Sequence, residues 1–208
     1  MGAGILPTTV YKNKLYFLFG KENKYEDSAP GFSDFGGGKD NNELLLDTAI
    51  REGGEELTGF LGSDEELKKL LNKTGTYNID ILSKSDKIIY RTHIFPMMYD
   101  DKLPFYYNNN QRFIQKRLDS NVIKNSKIFE KEEIRWVCID DLLKMKNQFR
   151  FFYVPTVERL TKERKNIKKF ITKGLLSNRK KGTKRFLSTN NKTRKTKQSS
   201  LSKFINIL

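Results

Sequence analysis

The chain has 208 residues, the length of one domain with an appendage. Its single cysteine, Cys138, excludes an internal disulfide or a disulfide-linked framework and fits a reducing compartment, so a cytoplasmic location is expected. The net charge of +15 is unevenly placed: residues 164–208 carry 15 Lys or Arg and no Asp or Glu, so 25 basic and 25 acidic residues remain in 1–163. No stretch approaches the roughly 18 apolar residues of a membrane span. The opening MGAGILPTTVY lacks the basic and apolar regions of a signal peptide. Position 6 is Leu rather than Ser or Thr, which sets aside myristoylation at Gly2.

Residues 8–19, β-branched and aromatic and ending at Gly20, predict a strand. After the break at Pro30-Gly31 comes GFSDFGGGKD, where Gly36, Gly37 and Gly38 let the backbone come close to a ligand. A helix is expected from Asn41 or Asn42, either a competent N-cap, with Leu44, Leu45, Thr48 and Ala49 inward. On it Glu52, Glu55 and Glu56 stand at i, i+3 and i+4 and share one face. No lysine lies between Lys39 and Lys68 to offset their repulsion. Crowded hard oxygen donors suit a hard cation such as Mg²⁺ or Mn²⁺. Gly53 and Gly54 each cost about 1 kcal/mol in a helix interior, so function or tight packing is expected to hold this helix.

Ser63-Asp64-Glu65-Glu66 is a capping box opening a helix to about Asn72. Residues 76–82 and 87–99 predict two strands, the second with an edge or bulge at Pro96. Residues 100–110 are expected as a loop in which Phe105, Tyr106 and Tyr107 either stack on a base or plug the hydrophobic core. A helix is expected from Gln111 to about Ile123, a strand over 133–139, and a short helix over Asp140–Lys146. Val157, Leu160, Ile167, Phe170 and Ile171 predict one helix over 155–173. Its lysines Lys165, Lys168, Lys169 and Lys173 form a charged face, and RKKGTKR over 179–185 extends a polyanion footprint, the alternative being a solubilising tail. His93, the one histidine, either contacts phosphate or base, or is a satisfied strand residue.

The acidic stretch resembles the Nudix hydrolase family, whose box reads G-x5-E-x7-R-E-U-x-E-E-x-G-U with U bulky and apolar. Gly37, Glu43, Arg51, Glu52, Glu55 and Glu56 fall at its spacing. There are two departures. Gly53 stands at an apolar position, leaving a gap in helix-to-sheet packing, and Thr58 stands at the late glycine with Gly59 next, as if the helix ended one residue later. The resemblance covers about residues 8–160, with SDFGGGKD and EEIRWVCIDDLL as further matches. More narrowly it is similar to family members of large DNA viruses, some of which remove mRNA caps.

The resemblance implies an α/β/α sandwich with a mixed sheet over 1–173 and a disordered basic tail over 174–208. It implies hydrolysis, with Mg²⁺ or Mn²⁺, of a nucleoside diphosphate linked to another group. Glu52, Glu55 and Glu56 would be metal ligands, with Glu52 or Glu56 deprotonating water. Glu43 would be an accessory ligand or would orient the helix, and Arg51 would fix the orientation of Glu52 or Glu43. A further acid before the late strand would be Glu130, with Glu133 the alternative in a cluster that includes Glu132. With the tail, a phosphate-rich substrate is expected, and capped RNA leads. Diphosphoinositol polyphosphate, ADP-ribose or a nucleoside triphosphate, and a non-catalytic RNA-binding module are the alternatives.

Overall fold

A computed structural model of the chain describes residues 1–26, 28–126 and 130–177. Its centre is β1, Gly2–Tyr11. One edge of β1 pairs in parallel with β6, Ile88–Pro96, from Gly2 to Thr8. The other edge is shared. Gly2–Ile5 pairs with β4, Phe35–Gly38, and Thr8–Tyr11 pairs with β2, Lys14–Glu22. The short β3, Phe32–Ser33, and β7, Lys131–Cys138, flank β2, while β5, Tyr77–Leu82, closes the β6 edge. Parallel and antiparallel pairs together make a mixed sheet.

The expected strand over 8–19 is two strands. Lys12 and Asn13 have φ of 45° and 63° and turn the chain through a two-residue hairpin, for which both central residues must take positive φ. Gly2 and Gly4, in the unforeseen first half of β1, admit the closely crossing β4. A Cβ on Gly4 would meet the Asp34 carboxylate and the Phe35 carbonyl at 2.8 Å.

Side chains alternate across the sheet and build two cores. Ala3, Ile5, Leu18, Phe95 and Ile134 face α1, Leu45–Glu56, α2, Asp64–Thr74, and α3, Lys102–Gln115. Leu6, Phe17, Phe19, Ile79 and Ile94 face α5, Val154–Lys162, and the helix α6 over 164–177. Ile167 and Ile171 of α6 are fully buried, each contributing about 1.5–3 kcal/mol. The result is the expected α/β/α sandwich, a mixed sheet between two helical layers.

Several boundaries differ from expectation. α1 starts later than Asn41 or Asn42, with Leu44 as N-cap and no side-chain capping bond, because Asn42 is taken into a turn at φ 67°. Residues 102–110 are helical, since Pro104 lies in the first turn of α3, where its missing N–H costs nothing. The helix expected over 111–123 is the end of α3 and a separate α4, Ser120–Asn125. A run of turns and a 3-10 turn over Lys146–Gln148 replaces the short helix after β7. The helix over 155–173 is broken at Glu163, and α6 continues through 174–177, past the expected start of the tail. Residues 178–208, including the RKKGTKR run, lie outside the described residues. Among the described residues no helix is long and apolar enough to cross a membrane, and Cys138 is a free, buried thiol.

Candidate active site

α1 lies directly on the sheet because glycines remove the side chains between them. A Cβ on Gly37 would fall on the Glu52 carboxylate, and a Cβ on Gly53 would fall inside the Ile5 side chain. The gap expected at Gly53 is therefore absent. Ile5 of β1 fills it, and Gly53 is what lets the helix come so close. The helix ends at Glu56, not later. Thr58 and Gly59 follow with φ of 49° and 75° in the left-handed turn that stops it.

Arg51 holds the first half of the site together. Its Nε donates to Glu43 Oε1 at 3.0 Å and one terminal nitrogen to Glu52 Oε1 at 2.8 Å. The other terminal nitrogen reaches Glu43 Oε2 at 3.2 Å and the Gly38 carbonyl at 3.1 Å. Glu43 also accepts from the Thr48 hydroxyl at 2.9 Å and the Asp40 amide at 3.2 Å. The Arg51 hydrogen bonds, aided by Thr48, hold the Glu43 carboxyl down at about 2. Of its two expected roles, this geometry is that of the helix-orienting one. Glu55 is the most open of the set, 41% exposed and 3.8 Å from Arg51.

Glu56 is buried. Its Oε2 accepts the Gly36 amide at 2.9 Å, and its Oε1 lies 3.0 Å from Lys131 Nζ, which is fully buried. Lys131 also pairs with Glu22, and Glu22 with Arg150, so four buried charges join α1, β2, β7 and the segment before α5. Burial pushes the Glu56 carboxyl up to about 8; Lys131 opposes the shift, while Glu22 and Glu130 add to it. Burial works to lower the Lys131 ammonium, but Glu56 and Glu22 outweigh it and hold it above its ordinary value. The sequence did not single out Glu22, Lys131 or Arg150. The pairing register of β2 and β7 shifts between Lys21 and Glu22, an irregularity no residue type announces.

A cleft of about 330 Å³ opens beside Gly36, Gly37 and Gly38, with Asp34, Arg150 and Phe152 also in its lining. Asp34 is buried and accepts from the Thr92 hydroxyl at 2.7 Å and the Tyr90 hydroxyl at 2.9 Å. Burial raises its carboxyl to about 6 against the pull of those hydrogen bonds. Arg150 Nε is buried with no hydrogen-bond partner, while the guanidinium lies 4.6 Å from the Phe152 ring centre.

The other expected residues divide. Glu130 stands near Glu56, raising its carboxyl, and its carbonyl accepts the Asn23 amide at 2.8 Å. Glu132 pairs with Lys21 and Glu133 with Arg135, each at 2.6 Å. His93 is buried beside Thr76, lines no part of the glycine cleft, and is lowered to about 4 by desolvation, so it is neutral near pH 7. Phe105 and Tyr106 are exposed on α3 and do not line that cleft. Tyr107 is a core residue, its hydroxyl donating to the Glu56 carbonyl at 2.8 Å. Lys165, Lys168 and Lys169 lie on α6, and Lys168 donates to the Asn13 carbonyl in the β1–β2 turn, at the opposite end of β1 from the glycines.

Glu52, Glu55 and Glu56 suit a hard divalent cation by donor type, and the Glu52 carboxylate occupies the space that a Cβ on Gly37 would take. Glu52 and Glu55 both face Arg51, while Glu56 faces Lys131; among the described residues no group of three or more His, Cys, Asp or Glu is gathered as a metal site.

No protein-family model matches the sequence, and no curated protein matches it. Solved structures do resemble it. A Nudix hydrolase from M. smegmatis, RenU, is 13% identical over 80% of this chain and 86% of its own, with a TM-score of 0.45. A C. elegans Ap4A hydrolase is 15% identical over 78% and 94%, with a TM-score of 0.43. The MutT protein from Methanosarcina mazei Go1 is 16% identical over 79% and 94%, with a TM-score of 0.41.

Proposed function

We propose that this chain is a Nudix pyrophosphohydrolase using Mg²⁺ or Mn²⁺, and that its substrate is the 5′ cap of RNA. The observation that carries the reading is Arg51 spanning Glu43 and Glu52 while Glu52 rests in the space left by Gly37. Four of the six residues at the family spacing, Gly37, Glu43, Arg51 and Glu52, are thereby in mutual contact, which supports the reading.

A divalent cation at Glu52, Glu55 and Glu56 would neutralise the pyrophosphate and activate water for attack on phosphorus. The residues supply the rest. Glu52 or Glu56 would take the proton released by the attacking water. The new bond joins water oxygen to phosphorus, and the bond broken joins phosphorus to the bridging oxygen, which leaves on the product phosphate. Arg51 keeps Glu52 oriented. The exposed Phe152 ring, backed by the Arg150 guanidinium, offers the glycine cleft a stacking face, which suits a nucleotide better than an inositol ring. The basic excess beyond residue 163 favours RNA over a free nucleotide. A reducing, cytoplasmic setting accords with the free Cys138.

The test is turnover of capped RNA, diphosphoinositol polyphosphate, ADP-ribose and nucleoside triphosphates with Mg²⁺, Mn²⁺ and a chelator. Release of the methylated guanosine diphosphate, lost on chelation, is expected. Preference for another member of the panel removes the cap assignment. RNA binding without any pyrophosphate cleavage leaves only the binding-module reading.

A further inference from the structure

We infer that the hairpin end of the sheet is a single-strand track that holds the body of an RNA while its 5′ end is in the glycine cleft. This rests on the capped-RNA reading and adds to it a second contact surface. Nine residue steps of β1 separate Gly2, beside Gly38, from Tyr11 at the hairpin, about 30 Å at the rise of a strand.

Two features meet there. The first is aromatic. The rings of Tyr11 and Tyr99 stack with centroids 4.1 Å apart and planes 9° from parallel. Tyr16 lies 5.8 Å from Tyr99, and Trp136 lies 5.6 Å from it. Tyr11 is partly exposed, and Lys12 Nζ sits 5.3 Å from its ring centre. The second is cationic. A cleft of about 260 Å³ is lined by Lys12, Lys14, Arg164 and Lys168, and α6 continues it with exposed Lys165, Lys169 and Lys173. The Lys168 bonds to Asn13 tie the two parts together. Among the described residues the only carboxylate lining the cationic clefts is Asp140, which holds Lys14 at 3.0 Å, while Asp101 stands near Tyr99 beside the aromatic part.

Cations along a groove with aromatic faces beside them are the pattern of sequence-tolerant single-strand binding. An anionic membrane would need an apolar face to insert, and α6 exposes only Leu176 among its large apolar side chains. The track is too far from Glu52 to touch the cleaved bond, so it acts on affinity for long chains and leaves the chemical step alone.

The experiment pairs fluorescence anisotropy on uncapped oligouridylates of increasing length with kinetics on a cap dinucleotide and on long capped RNA. Lys165→Ala/Lys169→Ala, both at exposed positions, should weaken oligouridylate binding about tenfold. It should also lower the slope of log affinity against log salt by about 1.4, two phosphate contacts on a single strand. Tyr11→Ala should weaken binding about fivefold with the slope unchanged, as stacking requires. The lysine variant should raise KM for long capped RNA and leave both constants for the dinucleotide as in wild type. Unchanged oligouridylate affinity overturns the track, as does tighter binding to phosphatidylserine vesicles than to RNA. If binding falls as stated while no substrate is hydrolysed, the track stands and the hydrolase reading falls.

Discussion

The two ends of β1 handle charge in opposite ways. At the Gly2 end, charges are paired and withdrawn from solvent, Lys131 with Glu22 and Glu56 and Arg150 with Glu22 buried, Arg51 with Glu43 and Glu52 half-buried. At the Tyr11 end they are exposed, and Asp140 is the only carboxylate that lines the cationic surface among the described residues. Buried pairs are strong only when geometry is fixed, because each partner has lost its water. Exposed cations need no fixed geometry and are screened by salt. The first arrangement suits a reaction, which needs groups held to a fraction of an ångström. The second suits a flexible polyanion.

The contrast predicts different consequences for removing one cation. Lys131→Met would strand Glu56 and leave Glu22 with Arg150 alone, at a cost of about 3–5 kcal/mol in urea unfolding. A loss below about 1 kcal/mol would mean the buried network is not paired as described. Arg51→Met should reduce kcat by about 10- to 100-fold, the usual scale for losing a residue that orients a ligand. Arg51→Lys should recover little of it, since an ammonium cannot span Glu43, Glu52 and the Gly38 carbonyl at once.

The smallest effect concerns pH. The Asp34 carboxyl is raised to about 6 in the folded protein by burial. The folded state therefore holds its proton where the unfolded chain has released it. Its contribution is complete below about pH 4 and is lost as pH rises through about 6. Asp34→Asn should flatten that part of the stability profile in urea titrations at a series of pH values. An unchanged slope would contradict the burial of this carboxyl.

The near end was largely legible in the sequence because its logic is spacing. A helix repeat fixes where Arg51, Glu52, Glu55 and Glu56 point, and the family resemblance supplied their roles. What escaped depended on partners distant in sequence. Gly53 read as a gap because its filler, Ile5, lies on a strand that glycines and Pro7 had masked. Glu22, Lys131 and Arg150 looked like surface charges, and only the β2–β7 pairing and the segment before α5 bring them together. The hairpin at Lys12-Asn13 escaped because no glycine marks it and the residues on both sides favour strands. Residues 102–110 read as a loop because of Pro104 and three asparagines, although a first-turn proline is compatible with a helix. The lysines of α6 were visible as a charged face, but their distance from the glycines was not.

The proposed hydrolase requires a divalent cation bound at Glu52, Glu55 and Glu56. Titration of Mn²⁺ followed by electron paramagnetic resonance, on wild type and on Glu52→Gln/Glu55→Gln, tests it without substrate. Saturable Mn²⁺ binding in wild type, weakened at least about tenfold in the double variant with the fold intact by circular dichroism, is the predicted result. Equal Mn²⁺ affinity in the two proteins would contradict it.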